Sequence, residues 1–175
     1  MTIAVWGTSH KTSSMALRER LSLKEEELLQ VMQEAAQRIQ GAELLGLVTC
    51  NRTEFYLNAP DPDQLKEGLI RSLEGRGRLL TGEEGAGSFY WRSEGDAVRH
   101  LFRVAASLDS LVVGEAQILG QVKESYGRAA AAGLTGATLN RLFQRSFVVA
   151  KQVRSETDVG ARPVSVGGCQ SVASS

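Results

Sequence analysis

Residues 42–59 read AELLGLVTCNRTEFYLNA, and this pattern decides the architecture. AELLGLVTC and TEFYLNA are β-rich runs separated by a very short connection around Cys50–Arg52, so they read as two consecutive strands. The position of Cys50 is unusual. It stands between an apolar run and the polar residues Asn51, Arg52 and Glu54. A core cysteine prefers apolar neighbours on its own face, whereas a working thiolate prefers cationic and hydrogen-bonding ones.

The flanking elements follow from punctuation and periodicity. TIAVWG is a short β-branched run ended by Gly7, a first strand. SSMALRERLS is a short helical stretch. Ser22 and Glu25 have the spacing of a capping box, with Leu28, Met32, Ala35 and Ile39 at helical intervals up to Gly41. Asp61-Pro62 opens another helix carrying Leu65, Leu69 and Leu73. EGRGRLLTGEEGAGS reads as a mobile glycine-rich loop, and FYWR as a fourth strand. The order β-α-β-β-α-β predicts an α+β fold: a ferredoxin-like split βαβ antiparallel sheet with helices on one face.

After residue 94 the sequence turns helical. Asp96 is the expected cap of a helix with the stripe Val98, Leu101, Phe102, Ala105 and Leu108. A second helix follows Gly114, with Ile118, Leu119, Val122, Tyr126 and Ala129, and closes at Gly133. A third runs from about 137 to about 157 with Leu139, Leu142, Phe143, Ala150 and Val153. This C-terminal group packs on itself or on the open sheet, within one domain spanning 1–157. Residues 158–175 look cut short, and their order is left open.

With 175 residues, 42% hydrophobic and 23% charged, the chain has the composition of an ordinary globular protein with a real core. Twenty basic and twenty acidic side chains cancel, which argues against a surface that grips nucleic acid everywhere but leaves room for a local basic strip. Two cysteines, Cys50 and Cys169, make no disulfide framework or CxxC pair, and with two histidines no metal site is expected. Residues 1–14 lack a basic head followed by a long apolar stretch, so no signal peptide is expected. No run has the length of a membrane span, and a cytoplasmic, reducing location is expected.

Four groups carry possible chemistry. Cys50 at a strand end, with Arg52 nearby to favour the thiolate or hold an anion, is a candidate nucleophile; a buried structural cysteine is the competing reading. His100 is an acid–base candidate about 200° round its helix from Val98, off the apolar stripe, where a structural role competes. Ser110, Glu115, Gln117 and Gln121 cluster at a helix start and suit a polar small molecule or simply solvent. Arg141, Arg145, Lys151 and Arg154 give the last helix a basic side, open to phosphate or to water. Gly160, Gly167 and Gly168 match neither GxGxxG nor the P-loop, so no dinucleotide site is expected here.

Taken together, GTSHKTSSMALRERL, LVTCNRTEFYL, HLFRVAASLDSLVVGEAQILGQVKESY and RLFQRSFVVAKQVRSETDVG resemble the N-terminal catalytic domain of glutamyl-tRNA reductase along nearly the whole chain. The resemblance implies NADPH-dependent reduction of glutamyl-tRNA to glutamate-1-semialdehyde, the entry to tetrapyrrole (porphyrin) synthesis. It makes Cys50 the nucleophile that forms a glutamyl thioester, and His100 the residue that polarises or protonates the reacting carbonyl. It also implies substrate contacts from Thr49, Asn51, Arg52, Ser110, Glu115, Ala116, Gln117 and Gln121, with Arg52 facing a substrate carboxylate.

In the family a long linker helix leads to an NADPH-binding domain and a dimerisation domain. Neither is expected in this sequence, so the cofactor has no binding residues here, and the oligomeric state of this piece is left open although the full-length enzyme is a homodimer. Substrate binding and acyl transfer are what this piece is expected to retain. Two rivals stand beside that reading: a cysteine hydrolase with a Cys50–His100 dyad, and a non-catalytic ferredoxin-like module that holds RNA.

Overall fold

The structure is a computed structural model that describes residues 1–80 and 87–158. Residues 81–86 of the expected glycine-rich loop, and the tail carrying Gly160, Gly167, Gly168 and Cys169, lie outside the described residues. Ten elements follow in order: β1 Thr2–Ser9, α1 Met15–Arg20, α2 Glu25–Ala36, β2 Glu43–Val48, β3 Arg52–Ala59, α3 Pro62–Gly75, β4 Tyr90–Ser93, α4 Glu94–Ala105, α5 Gln117–Ala131 and α6 Ala137–Glu156.

The strands form one antiparallel sheet in the order β2-β3-β1-β4. This is the ferredoxin-like arrangement expected from the sequence, with β1 inserted between β3 and β4. α2 and α3 cover one face, and the C-terminal helices pack on the open one, one of the two placements expected for them. Side chains two apart on a strand share a face, so Thr53, Phe55 and Leu57 of β3 look one way. There Phe55 stacks at 6.0 Å on Trp6. An added Cβ on Gly46 would come within 2.8 Å of Leu28 and 3.3 Å of Met32, so α2 lies directly on this face. Helix α3 packs beside it, its Gly68 close against Ala35.

Arg52, Glu54, Tyr56 and Asn58 look the other way, under α4, α5 and α6. Phe143 of α6 meets Tyr56 edge-on at 5.3 Å, and both are fully buried. Burial of a ring of this size contributes about 2–3 kcal/mol. Glu43, at the start of β2, accepts from the backbone N–H of Thr138 (3.2 Å) and Leu139 (3.1 Å), and so caps α6. Gly136 precedes that helix with no side chain to do so, and a Cβ there would lie 2.3 Å from the Glu43 carboxylate.

Two caps differ from expectation. Ser22 and Glu25 form no capping box: α2 begins at Glu25 after Lys24, with no side-chain cap. Leu21 and Leu23 are both buried on either side of Ser22, and that burial dictates the path of the chain there. Asp96 does not cap α4 either. β4 runs straight into the helix at Ser93–Glu94, and Asp96 pairs instead with Arg99 in the first turn. The Asp61 cap does form, accepting from Asp63 and Gln64 N–H with Pro62 at the first turn.

Candidate active site

The β2–β3 connection is a two-residue turn, Cys50–Asn51, closed by the Thr49 N–H donating to the Arg52 carbonyl at 2.9 Å. The Thr49 hydroxyl oxygen accepts from the backbone N–H of both Asn51 and Arg52, each at 3.2 Å. These bonds hold the turn without left-handed backbone at Cys50 or Asn51. Cys50 is exposed at its tip. The next loop, after β1, lies alongside: His10 N–H donates to the Asn51 carbonyl at 2.8 Å. Burial, followed by the positive charge of Arg52, lowers the His10 pKa and keeps that ring neutral.

Behind the turn lies a buried network of charged and polar groups. Glu54 is fully buried, and one of its oxygens accepts from Arg52 Nη1 at 2.8 Å, from His100 Nε2 at 2.6 Å and from the Tyr90 hydroxyl. The other accepts from Tyr56 at 2.6 Å. Burial pushes the Glu54 carboxyl up, but the His100 hydrogen bond and the charge of Arg52 outweigh it and hold the pKa at about 2. The carboxylate is therefore ionised at neutral pH, and His100 must present Nε2–H to it, which fixes the imidazole tautomer.

The backbone explains how Glu54 reaches so many partners. In the sheet register Gly7 stands opposite both Glu54 on β3 and Tyr90 on β4. A Cβ on Gly7 would lie 2.6 Å from the Thr53 carbonyl and 2.8 Å from Glu54 Cα and Cγ. The missing side chain lets Glu54 lie across β1. Gly7→Ala is expected to cost about 1–3 kcal/mol by overpacking, read as a lowered urea midpoint. A midpoint equal to wild type would show that the crowding is relieved elsewhere.

Arg52 is 2% exposed. Its second terminal nitrogen donates to the Asp109 carbonyl and, at 3.3 Å, to the Asp109 carboxylate. Burial opposes the charge on Arg52, but Glu54 leads the groups that raise its pKa, so it stays cationic. Asp109 also pairs with Lys11 at 2.5 Å. Thus the α4–α5 connection folds back onto the end of β1. Ser107, with φ of 62°, makes the bend and accepts from Gly114 N–H through its carbonyl at 3.1 Å. Ser110 follows Asp109 directly, its hydroxyl 3.4 Å from that of Ser107.

The structure thus gathers Thr49, Cys50, Asn51 and Arg52 in one turn, His100 behind them through Glu54, and Ser110 beside Asp109. Glu115, Ala116 and Gln117 are exposed and Gln121 is half-buried at the start of α5. Among the described residues no hydrogen bond or ion pair joins these four to Arg52, Glu54 or His100.

His100 departs from its expected place. It is 8% exposed, on the buried face of α4 with Ala97, Leu101 and Val104. Val98 and Phe102 line a groove of about 360 Å³ facing α6. Sequence reasoning also missed Glu54 as a hub, with Tyr56, Tyr90 and Asp109. The alternation Arg52, Glu54, Tyr56, Asn58 was a signal for the first two, since polar groups at a period of two on a sheet face mark one shared surface.

Fold and site define a class: an α+β domain that presents a cysteine on a tight turn, backed by a buried arginine–glutamate–histidine network. Residues 6–157 match the family model described as glutamyl-tRNAGlu reductase, N-terminal domain, and the chain belongs to that family. It is similar to the solved glutamyl-tRNA reductase from Methanopyrus kandleri, with a TM-score of 0.67 and 30% identity over 89% of this chain. The match covers 35% of that protein, so this chain spans about a third of its length.

Proposed function

We propose that this chain is the acyl-transfer portion of an NADPH-dependent glutamyl-tRNA reductase, which makes glutamate-1-semialdehyde for tetrapyrrole synthesis. The observation that carries the reading is an exposed Cys50 on a turn whose next residue but one, Arg52, is anchored in the Glu54 network. The Cys50 thiolate attacks the carbonyl carbon of the glutamyl ester. A C–S bond forms, the ester C–O bond breaks, and the ribose oxygen leaves as a hydroxyl, taking from solvent the proton that the thiol had given up. Arg52 receives a substrate carboxylate in place of the Asp109 carboxylate, the longer of its two contacts to that residue. Thr49, Asn51, Ser110, Glu115, Ala116, Gln117 and Gln121 make the remaining substrate contacts, and His100, whose Nε2–H is held by Glu54, meets the reacting group through Nδ1.

The described sheet is antiparallel throughout and has no parallel βαβ unit with a glycine-rich turn to hold a dinucleotide. These residues do not fit NADPH, and the chemistry of this chain ends at the thioester.

Mixing the chain with radiolabelled glutamyl-tRNA in the absence of NADPH tests this reading. After an acid quench and peptide mapping, label is expected on the peptide containing Cys50. Intact ester after many half-lives, or label on another residue, would overturn it. One observation favours a second reading. Glu54 behind His100 is the orienting group that a Cys–His hydrolase needs, and steady release of free glutamate from simple glutamyl esters would mark that outcome.

A further inference from the structure

The last helix is cationic in a way that the reactive site does not use. α6 carries Arg141, Arg145, Lys151 and Arg154, and its only acidic residue is Glu156 at the very end. Leu139, Leu142, Phe143, Ser146 and Ala150 are buried beneath it. Arg141, Gln144, Arg145, Val148 and Lys151 are exposed along its outer side. Arg141 and Arg145 stack one turn apart, and among the described residues no ion pair neutralises either of them or Lys151. On α2, by contrast, Glu25, Glu27 and Glu34 are paired with Arg128, Arg78 and Arg76. The α6 row is thus a local concentration of unpaired positive charge on a chain of zero net charge.

The direction of the row matters as much as its sign. α6 starts at Glu43, the end of β2 remote from Cys50, since Glu43 binds Thr138 and Leu139 N–H. It finishes beside the α4–α5 connection, where Arg154 donates to the Gly114 carbonyl at 3.2 Å. That same connection supplies Asp109 to Arg52. Over 20 residues the helix spans about 30 Å. The cations therefore form a track that leads away from the reactive end of the sheet.

We infer that this outer side of α6 is the docking track for the phosphodiester backbone of an RNA whose acylated end lies at Cys50. The inference rests on the function proposed above and names the surface that receives the body of the substrate. Arginine and lysine on such a track bind phosphates without reading sequence and release counterions, so binding through them is salt-dependent. Asn140 and Gln144 share a shallow depression with Arg141 and Arg145; both bond the Tyr126 hydroxyl, and their remaining amide N–H groups suit the sugar and phosphate oxygens between charges.

The test uses the whole chain and two separate readouts. Affinity for deacylated tRNA is measured by filter binding over a range of salt concentrations, for wild type, Arg141→Glu/Arg145→Glu and Arg141→Lys/Arg145→Lys. The glutamate pair is expected to weaken binding at least about tenfold and to lower the slope of log affinity against log salt by about two, while the lysine pair keeps the slope. Acylation of Cys50 by labelled glutamyl-adenosine, which has the ester but no RNA body, is expected to be the same in all three. Equal affinity and slope for wild type and the glutamate pair would overturn the track even if Cys50 is acylated. If Cys50 takes no label from either substrate but the glutamate pair still loses tRNA, the track stands and the thioester reading falls.

Discussion

Cys50→Ser is expected to reduce transfer of the glutamyl group to background while leaving the fold unchanged. The turn is held by the Thr49 hydroxyl and by backbone bonds. The position is exposed, and substitutions at such sites usually shift stability by no more than about 0.5 kcal/mol. The urea midpoint should therefore match wild type. Chemistry separates the two side chains. Sulfur ionises within reach of neutral pH and attacks as the thiolate, whereas a serine hydroxyl needs a base aligned on it to become a nucleophile. His100 is turned toward Glu54 through Nε2 and held there, 8% exposed. A serine variant that acylates at a rate near wild type would mean that the labelled group is elsewhere. Loss of acylation with a lowered midpoint would point to a damaged turn, and Cys50→Ala would then separate fold from chemistry.

The strands and the turn were legible because their signals are local. Period, β-branching and the short connection between residues 48 and 52 determine β2 and β3, and Asp61-Pro62 caps α3 as read. The capping box at Ser22–Glu25 was equally local, yet it lost to the burial of Leu21 and Leu23. A cap contributes about 1 kcal/mol, and two buried leucines contribute more. The site divides in the same way. Thr49 to Arg52 are neighbours in sequence, so their grouping could be read directly. The Glu54 network depends on residues 36 and 46 positions away, Tyr90 and His100, and on a glycine in a third strand. Nothing in a local window links Gly7 to Glu54. His100 was misplaced because its helix was assumed to bury its most apolar stripe. In fact α4 turns a histidine inward to a carboxylate and leaves Val98 and Phe102 at a groove. A buried ionised partner is what makes that rotation favourable, and it is visible only once the sheet is assembled.

Glu54→Gln should be the most damaging isosteric change in the molecule. The amide can keep its oxygen where three donors converge and turn its NH₂ toward the Tyr56 hydroxyl, which accepts as well as donates. Shape and bond count thus nearly survive, but the charge does not. Arg52 would be left buried with only the half-buried Asp109 to balance it. Breaking a buried pair in this way costs about 3–5 kcal/mol, so a large fall in the urea midpoint is expected, together with weaker glutamate binding and slower acylation. The pH dependence identifies the cause. Folded Glu54 takes its proton at about 2, against 4.5 for an ordinary glutamate. Between those values the unfolded chain binds the extra proton, so the stability from this group is complete above 4.5 and disappears as the pH falls through 2. Wild type should lose stability steeply across that window, and Glu54→Gln, starting lower, should lose less. Parallel curves for the two proteins would mean that Glu54 is not the carboxylate that the fold protects. A shallow curve confined to the variant would tie acid sensitivity, the placement of Arg52 and the orientation of His100 to one buried charge.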